Sequence, residues 1–259
     1  MAVWDLNADL GELEGSLGAE VDAALLTVVT SANVACGGHA GDAVSMRRVC
    51  VAAAESGVAV GAQVSYVDRE GFGRRHVDVS AATLIAQLTD QLAALDEHAR
   101  AAGTAVTYVK PHGALYHAAA TEHRVAAAVV ASVAAYDERL PLLTLPGSAL
   151  AAAARERGMH AVGEAFADRA YTREGRLLPR THHASVVTDR HEVVLRVLRL
   201  TSERAVRTVD GADVRVDARS VCLHGDTPGA VDLARAIHTA LTAAGVALEA
   251  FAPPPARRP

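Results

Sequence analysis

Residues 80–113 read SAATLIAQLTDQLAALDEHARAAGTAVTYVKPHG and hold a complete helix-to-strand unit. Ser80 has the chemistry of an N-cap. Leu84, Leu88, Leu92 and Leu95 then recur at helical spacing and make one apolar stripe. Gly103 supplies the residue type on which such a helix ends. The run at 105–109 follows as a strand, and its far end carries Lys110-Pro111-His112-Gly113. A one-faced helix feeding a strand that closes on polar residues is the repeat of a parallel sheet covered by helices.

The same alternation extends in both directions. Upstream, strands at 3–7, 31–35 and 58–62 bracket a helix at 19–29 and another running from its cap Asp42 to Gly57. Downstream, helices at 121–136 and 148–157 alternate with strands at 142–145 and 161–165. Asp189 and Glu192 have capping-box spacing ahead of a helix at 193–200. Residues 204–219 read as a β-hairpin around Asp210-Gly211. After a strand at 220–223, Thr227 and Pro228 have N-cap and first-turn chemistry for a helix carrying Leu233, Ile237 and Leu241, and 246–250 is a last short strand. Two segments, 65–79 and 166–188, interrupt the rhythm. About seven or eight units predict an α/β fold, an irregular (β/α) barrel rather than an open doubly wound sheet, because no G-x-G-x-x-G follows the first strand. One catalytic domain is expected over 1–252, with a disordered Pro/Arg tail at 253–259.

Composition narrows the class. The chain has 259 residues, of which 51% are hydrophobic and 21% charged, enough to bury a substantial core. A net charge of -5 speaks against a nucleic-acid partner. Three cysteines do not make a disulfide scaffold and fit a reducing compartment. No signal peptide and no membrane-spanning run is expected, so the default is a cytoplasmic enzyme or enzyme subunit with a small-molecule substrate. Of 25 basic residues only Lys110 is lysine, which marks a position where a compact ammonium is needed in place of a planar fork.

The polar clusters share one position, the C-terminal end of a strand, where barrels build active sites. They are Asn7-Ala8-Asp9-Leu10-Gly11-Glu12, Cys36-Gly37-Gly38-His39 with Asp42, Gly61-Ala62-Gln63, Lys110-Pro111-His112-Gly113, Asp168-Arg169, and Cys222-Leu223-His224-Gly225-Asp226. Asp5, Asn7 and Asp9 alternate and so face one side, into the barrel. Buried carboxylates need partners, which His, Lys, Arg or a metal would supply. Lys110 suits an oxyanion, and Arg169 a carboxylate or phosphate. A Cys36–His39 nucleophile is a minor reading; Cys36, Cys50 and Cys222 read as core. His76, His117, His123, His182, His183 and His191 read as surface. A divalent metal has Asp9, His39 and His224 as candidate ligands, with no spacing rule demanding it, and no G-x-x-x-x-G-K-[ST] phosphate loop is present.

Taken together, Asp5–Glu12, Ala32–Asp42, Lys110–Tyr116, Phe166–Tyr171 and Cys222–Asp226 closely resemble the LamB/YcsF family over almost the whole chain. The resemblance implies an irregular (β/α) barrel similar to the glycoside hydrolase/deacetylase superfamily. It implies ATP-dependent opening of 5-oxo-L-proline to L-glutamate, with ATP as co-substrate and separate 5-oxoprolinase subunits B and C as partners. One departure is Gly61-Ala62-Gln63-Val64-Ser65 where the family reads Gly-Ala-His-Pro-Ser, and Gln63 cannot take up a proton as imidazole does. Another is Glu12-Leu13-Glu14-Gly15, longer than the family's Gly-Glu-Gly turn. The expected catalytic set is Asp9, Lys110, His112, His224 and Asp226, with Asp9 or Asp226 as base and His112 or His224 moving protons. Substrate contacts are expected from Asn7, Glu12, Asn33, His39, Asp42, Gln63, Asp168 and Arg169. The rival readings are a metal-dependent deacetylase or amidohydrolase acting without ATP, and a non-catalytic lactam-binding subunit.

Overall fold

The computed structural model describes residues 3–255 of the chain. Strands β1 (Val3–Leu10), β2 (Ser31–Ala35), β3 (Ala59–Val64), β4 (Val106–Pro111), β5 (Leu142–Thr144), β6 (Ala161–Phe166) and β9 (Ser220–Leu223) run parallel, each bonded to the next. β9 pairs back onto β1 through Asp5↔Ser220 and Asn7↔Cys222, so these seven strands close into a barrel. The closure is irregular at β4–β5, which share only Val109↔Leu142. Strand β10 (Ala247–Leu248) adds to the start of β1, and β7 (Ala205–Arg207) with β8 (Asp213–Arg215) forms the expected hairpin. The tail expected at 253–259 is described only to residue 255; Arg257 and Arg258 lie outside the described residues.

Eight helices surround the barrel among the described residues: α1 (Gly15–Leu26), α2 (Ala43–Ser56), α3 (Ala81–Ala101), α4 (Gly113–Thr121), α5 (His123–Asp137), α6 (Ala149–Glu156), α7 (Arg190–Glu203) and α8 (Ala230–Ala243). The leucine stripe of α3 is fully buried, as its spacing demands. Three local expectations are corrected. α1 starts at Gly15 rather than residue 19, on Glu14, which makes no side-chain cap. α4 begins directly after His112, in a stretch read as loop, again without a capping side chain. α8 starts after Gly229, and Thr227 bonds Asp168 instead of capping it.

Strand alternation sorts the core into two layers. Outward residues such as Leu6, Leu10, Val34, Val60, Val64 and Val109 join the main core beneath the helices. Inward residues fill the barrel. At its floor Ala59, Tyr108, Leu143 and Val162 pack with Phe251 from the C-terminal segment. Gly61 is required there, since a Cβ would stand 2.1 Å from the Tyr108 ring. Above the floor the inward residues turn polar.

Candidate active site

A column of buried polar side chains climbs the barrel from Asp5 to Lys110. Asp5 Oδ1 accepts from Thr30 Oγ1 (2.7 Å) and Ser31 Oγ (2.5 Å), while Ser220 Oγ donates to its other oxygen. Burial still raises the Asp5 pKa. Asn7 Nδ2 donates to Ser220 Oγ (2.6 Å). Asn33 Nδ2 donates to Asn7 Oδ1 (2.6 Å) and Asp9 Oδ1 (2.8 Å), and Tyr108 OH donates to Asn33 Oδ1 (2.7 Å). These bonds aim Asp9 at the strand ends.

There Lys110 meets it. The lysine is 3% exposed; its Nζ lies 2.7 Å from Glu164 Oε1, 3.2 Å from Asp9 Oδ1 and 3.1 Å from Cys222 Sγ. Burial by itself would discharge the ammonium, but Asp9, Cys222 and Glu164 outweigh it and hold the pKa well above the usual value. The same pairing, with His224 and His112 nearby, overrides burial at Asp9 and keeps that carboxylate ionised. Glu164 is raised by its own burial. Sequence reading missed Glu164; its signal was a lone acid at an inward position of the otherwise apolar strand AVGEAF.

Two histidines flank the ammonium, each with one nitrogen fixed. His224 Nδ1 sits 2.9 and 3.1 Å from the two oxygens of Asp168. Asp168 also accepts from the His224 backbone N–H (3.2 Å) and Thr227 Oγ1 (2.5 Å). Burial would raise the Asp168 pKa, but His224 and these donors hold it low. His224 therefore carries its proton on Nδ1 and leaves Nε2 bare. On the opposite side His112 Nε2 donates to Phe72 O (3.1 Å), so its Nδ1 accepts from Gln63 Nε2 (3.1 Å). Burial first, then His39, pushes the His112 pKa well down. Ser65 Oγ donates to Tyr66 O and hence accepts from His39 Nδ1 (3.0 Å). The inner nitrogens of His39 and His112 both face Glu12 Oε1, at 3.2 and 3.3 Å. Burial raises the Glu12 pKa. The His112 Nδ1 lone pair is already taken by Gln63, so His39 Nε2 is the nitrogen left opposite the Glu12 carboxyl. The two rings stack 3.7 Å apart, which disfavours a charge on both.

Asp9, Lys110, His112, Arg169 and His224 line one cavity of about 610 Å³, together with Arg74, Tyr116, His117, Phe166, Leu177 and Arg180. The sequence-predicted strand ends thus meet at one mouth. Asn7, Glu12, Asn33, His39, Gln63 and Asp168 do not line it; they stand behind the wall and orient what does. Two expected site residues are corrected. Asp42 is exposed and caps α2, accepting from Ser45 N (2.8 Å). Asp226 lies outside the cavity wall, held by Arg74 and Arg180, so it is no free base. His117 is exposed as expected but borders the cavity. Cys36 is buried with its thiol on Gln63 O and its pKa raised by burial, which removes it as a nucleophile.

Two donor sets lie close enough to hold a metal ion: Asp9, Cys222 and His224, and Glu12, His39 and His112. The expected trio of Asp9, His39 and His224 is split between them. In the first, the Lys110 ammonium already stands against Asp9 and Cys222. In the second, the stacked rings are 6° from parallel, so an ion shared by their nitrogens would sit out of both ring planes. Neither set fits a resident metal.

Residues 4–255 match the model of the LamB/YcsF family. The chain belongs to the LamB/YcsF family. It is similar to the A subunit of 5-oxoprolinase from Streptomyces avermitilis, 56% identical over 96% of this chain and 99% of that protein. The corresponding A subunit from Mycolicibacterium gilvum is 52% identical, over 97% of this chain and 100% of that protein. Among solved structures, the lactam utilization protein from Thermus thermophilus superposes with a TM-score of 0.90 at 41% identity, covering 97% of this chain and 100% of that one. LamB/YcsF membership fits the barrel and the strand-end motifs that line its mouth. Among the described residues no helix is long and apolar enough to cross a membrane.

Proposed function

We propose that the chain is the lactam-opening component of an ATP-dependent 5-oxoprolinase, converting 5-oxo-L-proline to L-glutamate in the cytoplasm with subunits B and C. The observation that carries the reading is a buried, charged Lys110 paired with Asp9 and flanked by His112 and a bare His224 Nε2, all lining one cavity. The names of the relatives, an A subunit of 5-oxoprolinase and a lactam utilization protein, support it.

A lactam is a stabilised amide that water attacks poorly. Its amide oxygen takes the terminal phosphoryl group of ATP and ADP leaves, which makes the carbon electrophilic. Water adds to that carbon and gives its proton to His224 Nε2, whose imidazolium Asp168 stabilises. The ring C–N bond breaks, and the His224 imidazolium returns that proton from Nε2 to the departing nitrogen. A second water hydrolyses the resulting acyl phosphate to glutamate and inorganic phosphate. Lys110 faces the oxygen on which charge develops. Arg169, buried beside the cavity, holds the substrate carboxylate.

The test is formation of glutamate and ADP from 5-oxoproline and ATP by this chain with its B and C partners. The wild type should need all three chains and ATP, and Lys110→Ala should abolish product. Product without ATP would favour a plain amidohydrolase, and full activity in the variant would remove Lys110 from the chemistry.

A further inference from the structure

The solvent end of the cavity carries more positive charge than a single small carboxylic acid can match. Arg74, on the loop after β3, and Arg180, on the loop after β6, both line it. Both pair with one carboxylate, Asp226, on the loop after β9; Arg180 Nη2 is 3.8 Å from Asp226 Oδ1. Asp226 Oδ1 is itself buried with no hydrogen-bond partner, so the clasp is incompletely satisfied. Deeper in, Arg169 is 2% exposed, and its guanidinium donates only to the carbonyls of Ser185 (3.2 Å) and Leu178 (2.6 Å), with no ion pair among the described residues. A buried guanidinium with no carboxylate in salt-bridge reach calls for an anionic ligand.

We infer that Arg74 and Arg180 form a phosphoryl-oxyanion subsite in which an incoming phosphate displaces Asp226, bringing the terminal phosphate of a nucleoside triphosphate into the cavity that holds the lactam. The inference rests on the proposed ATP-dependent reaction and says where its phosphoryl donor sits. Substrate supplies one carboxylate, which Arg169 matches, and this leaves the rim pair unclaimed. Planar guanidinium forks suit phosphate oxygens, and the chain's one lysine is kept for the floor of the same site. A cavity of about 610 Å³ belongs to the size class of drug-sized ligands, so a small lactam leaves room beside it. Displacing Asp226 also ties the loops after β3 and β6 to the ligand rather than to the loop after β9.

The full-length chain is titrated by calorimetry at low ionic strength with inorganic phosphate, ADP and ATP, and separately with 5-oxoproline. Unfolding midpoints confirm that each variant is folded. Arg74→Gln and Arg180→Gln should each weaken phosphate or ATP binding about tenfold. Asp226→Asn should tighten it about fivefold, because the competing carboxylate is gone. ATP binding that follows this pattern without binding of inorganic phosphate assigns the site to a polyphosphate; binding of both assigns it to the terminal phosphoryl group. Absence of phosphate and ATP binding, indifference to both arginines, or weaker binding in Asp226→Asn overturns the inference. If phosphate behaves as expected while 5-oxoproline neither binds nor turns over, the subsite stands and the lactam reading fails.

Discussion

Asp168 decides which nitrogen of His224 is free to act. Its carboxylate holds Nδ1–H and is held in turn by Thr227 and a backbone amide, so neither the tautomer nor the ring angle is left to chance. Asp168→Asn keeps the shape but can present an amide N–H to Nδ1, which moves the imidazole proton to the cavity side. The expected outcome is a fall in kcat of roughly a hundredfold or more with KM little changed, measured by steady-state glutamate formation. An unchanged kcat would mean that His224 is not the base. The contrast with Asp226 is instructive: both acids stood in strand-end clusters, yet one is buried under a histidine and the other is clasped at the rim by arginines. Residue type and strand-end position identified the participants; burial and pairing assigned their roles.

Capping chemistry separates the elements that could be read from those that could not. α2, α3, α6 and α7 begin on Asp42, Ser80, Ser148 and Asp189, whose side chains accept from the first turn, and all four starts were legible. α1, α4 and α8 begin on Glu14, His112 and Gly229 without a side-chain cap, and these were misplaced or missed. At α4 and α8 the residues that would have marked the start instead serve the site: His112 lines the cavity and Thr227 bonds Asp168. Inward strand positions were legible where a pattern such as Asp5, Asn7, Asp9 repeated, but Glu164 stood alone in an apolar run. Asp42→Ala therefore tests a purely structural role for a residue first placed among the substrate contacts. It should cost about 1 kcal/mol in a denaturant titration with 5-oxoproline affinity intact. Loss of binding without loss of stability would return Asp42 to the site.

Closing seven strands around polar side chains makes the stability of the whole molecule depend on protons. Groups inside the barrel pull in opposite directions. Burial raises Asp5 and Glu164, so the folded chain holds protons there that the unfolded chain has released, and stability falls as pH rises through their folded values. His112 does the reverse. Burial and the stacked His39 hold it neutral, so below about pH 6.5 the unfolded chain binds a proton at this position that the folded chain refuses. Its stabilising contribution is complete above that pH and declines as acid is added. A comparison of wild type with His112→Gln isolates it, because Asp5 and Glu164 are common to both proteins. The unfolding free energy of the wild type relative to the variant should drop on going from pH 7.5 to 5, with a slope approaching about 1.4 kcal/mol per pH unit below 6.5. Parallel pH profiles would show that His112 takes up its proton in the folded barrel, where it would form an ion pair with Glu12.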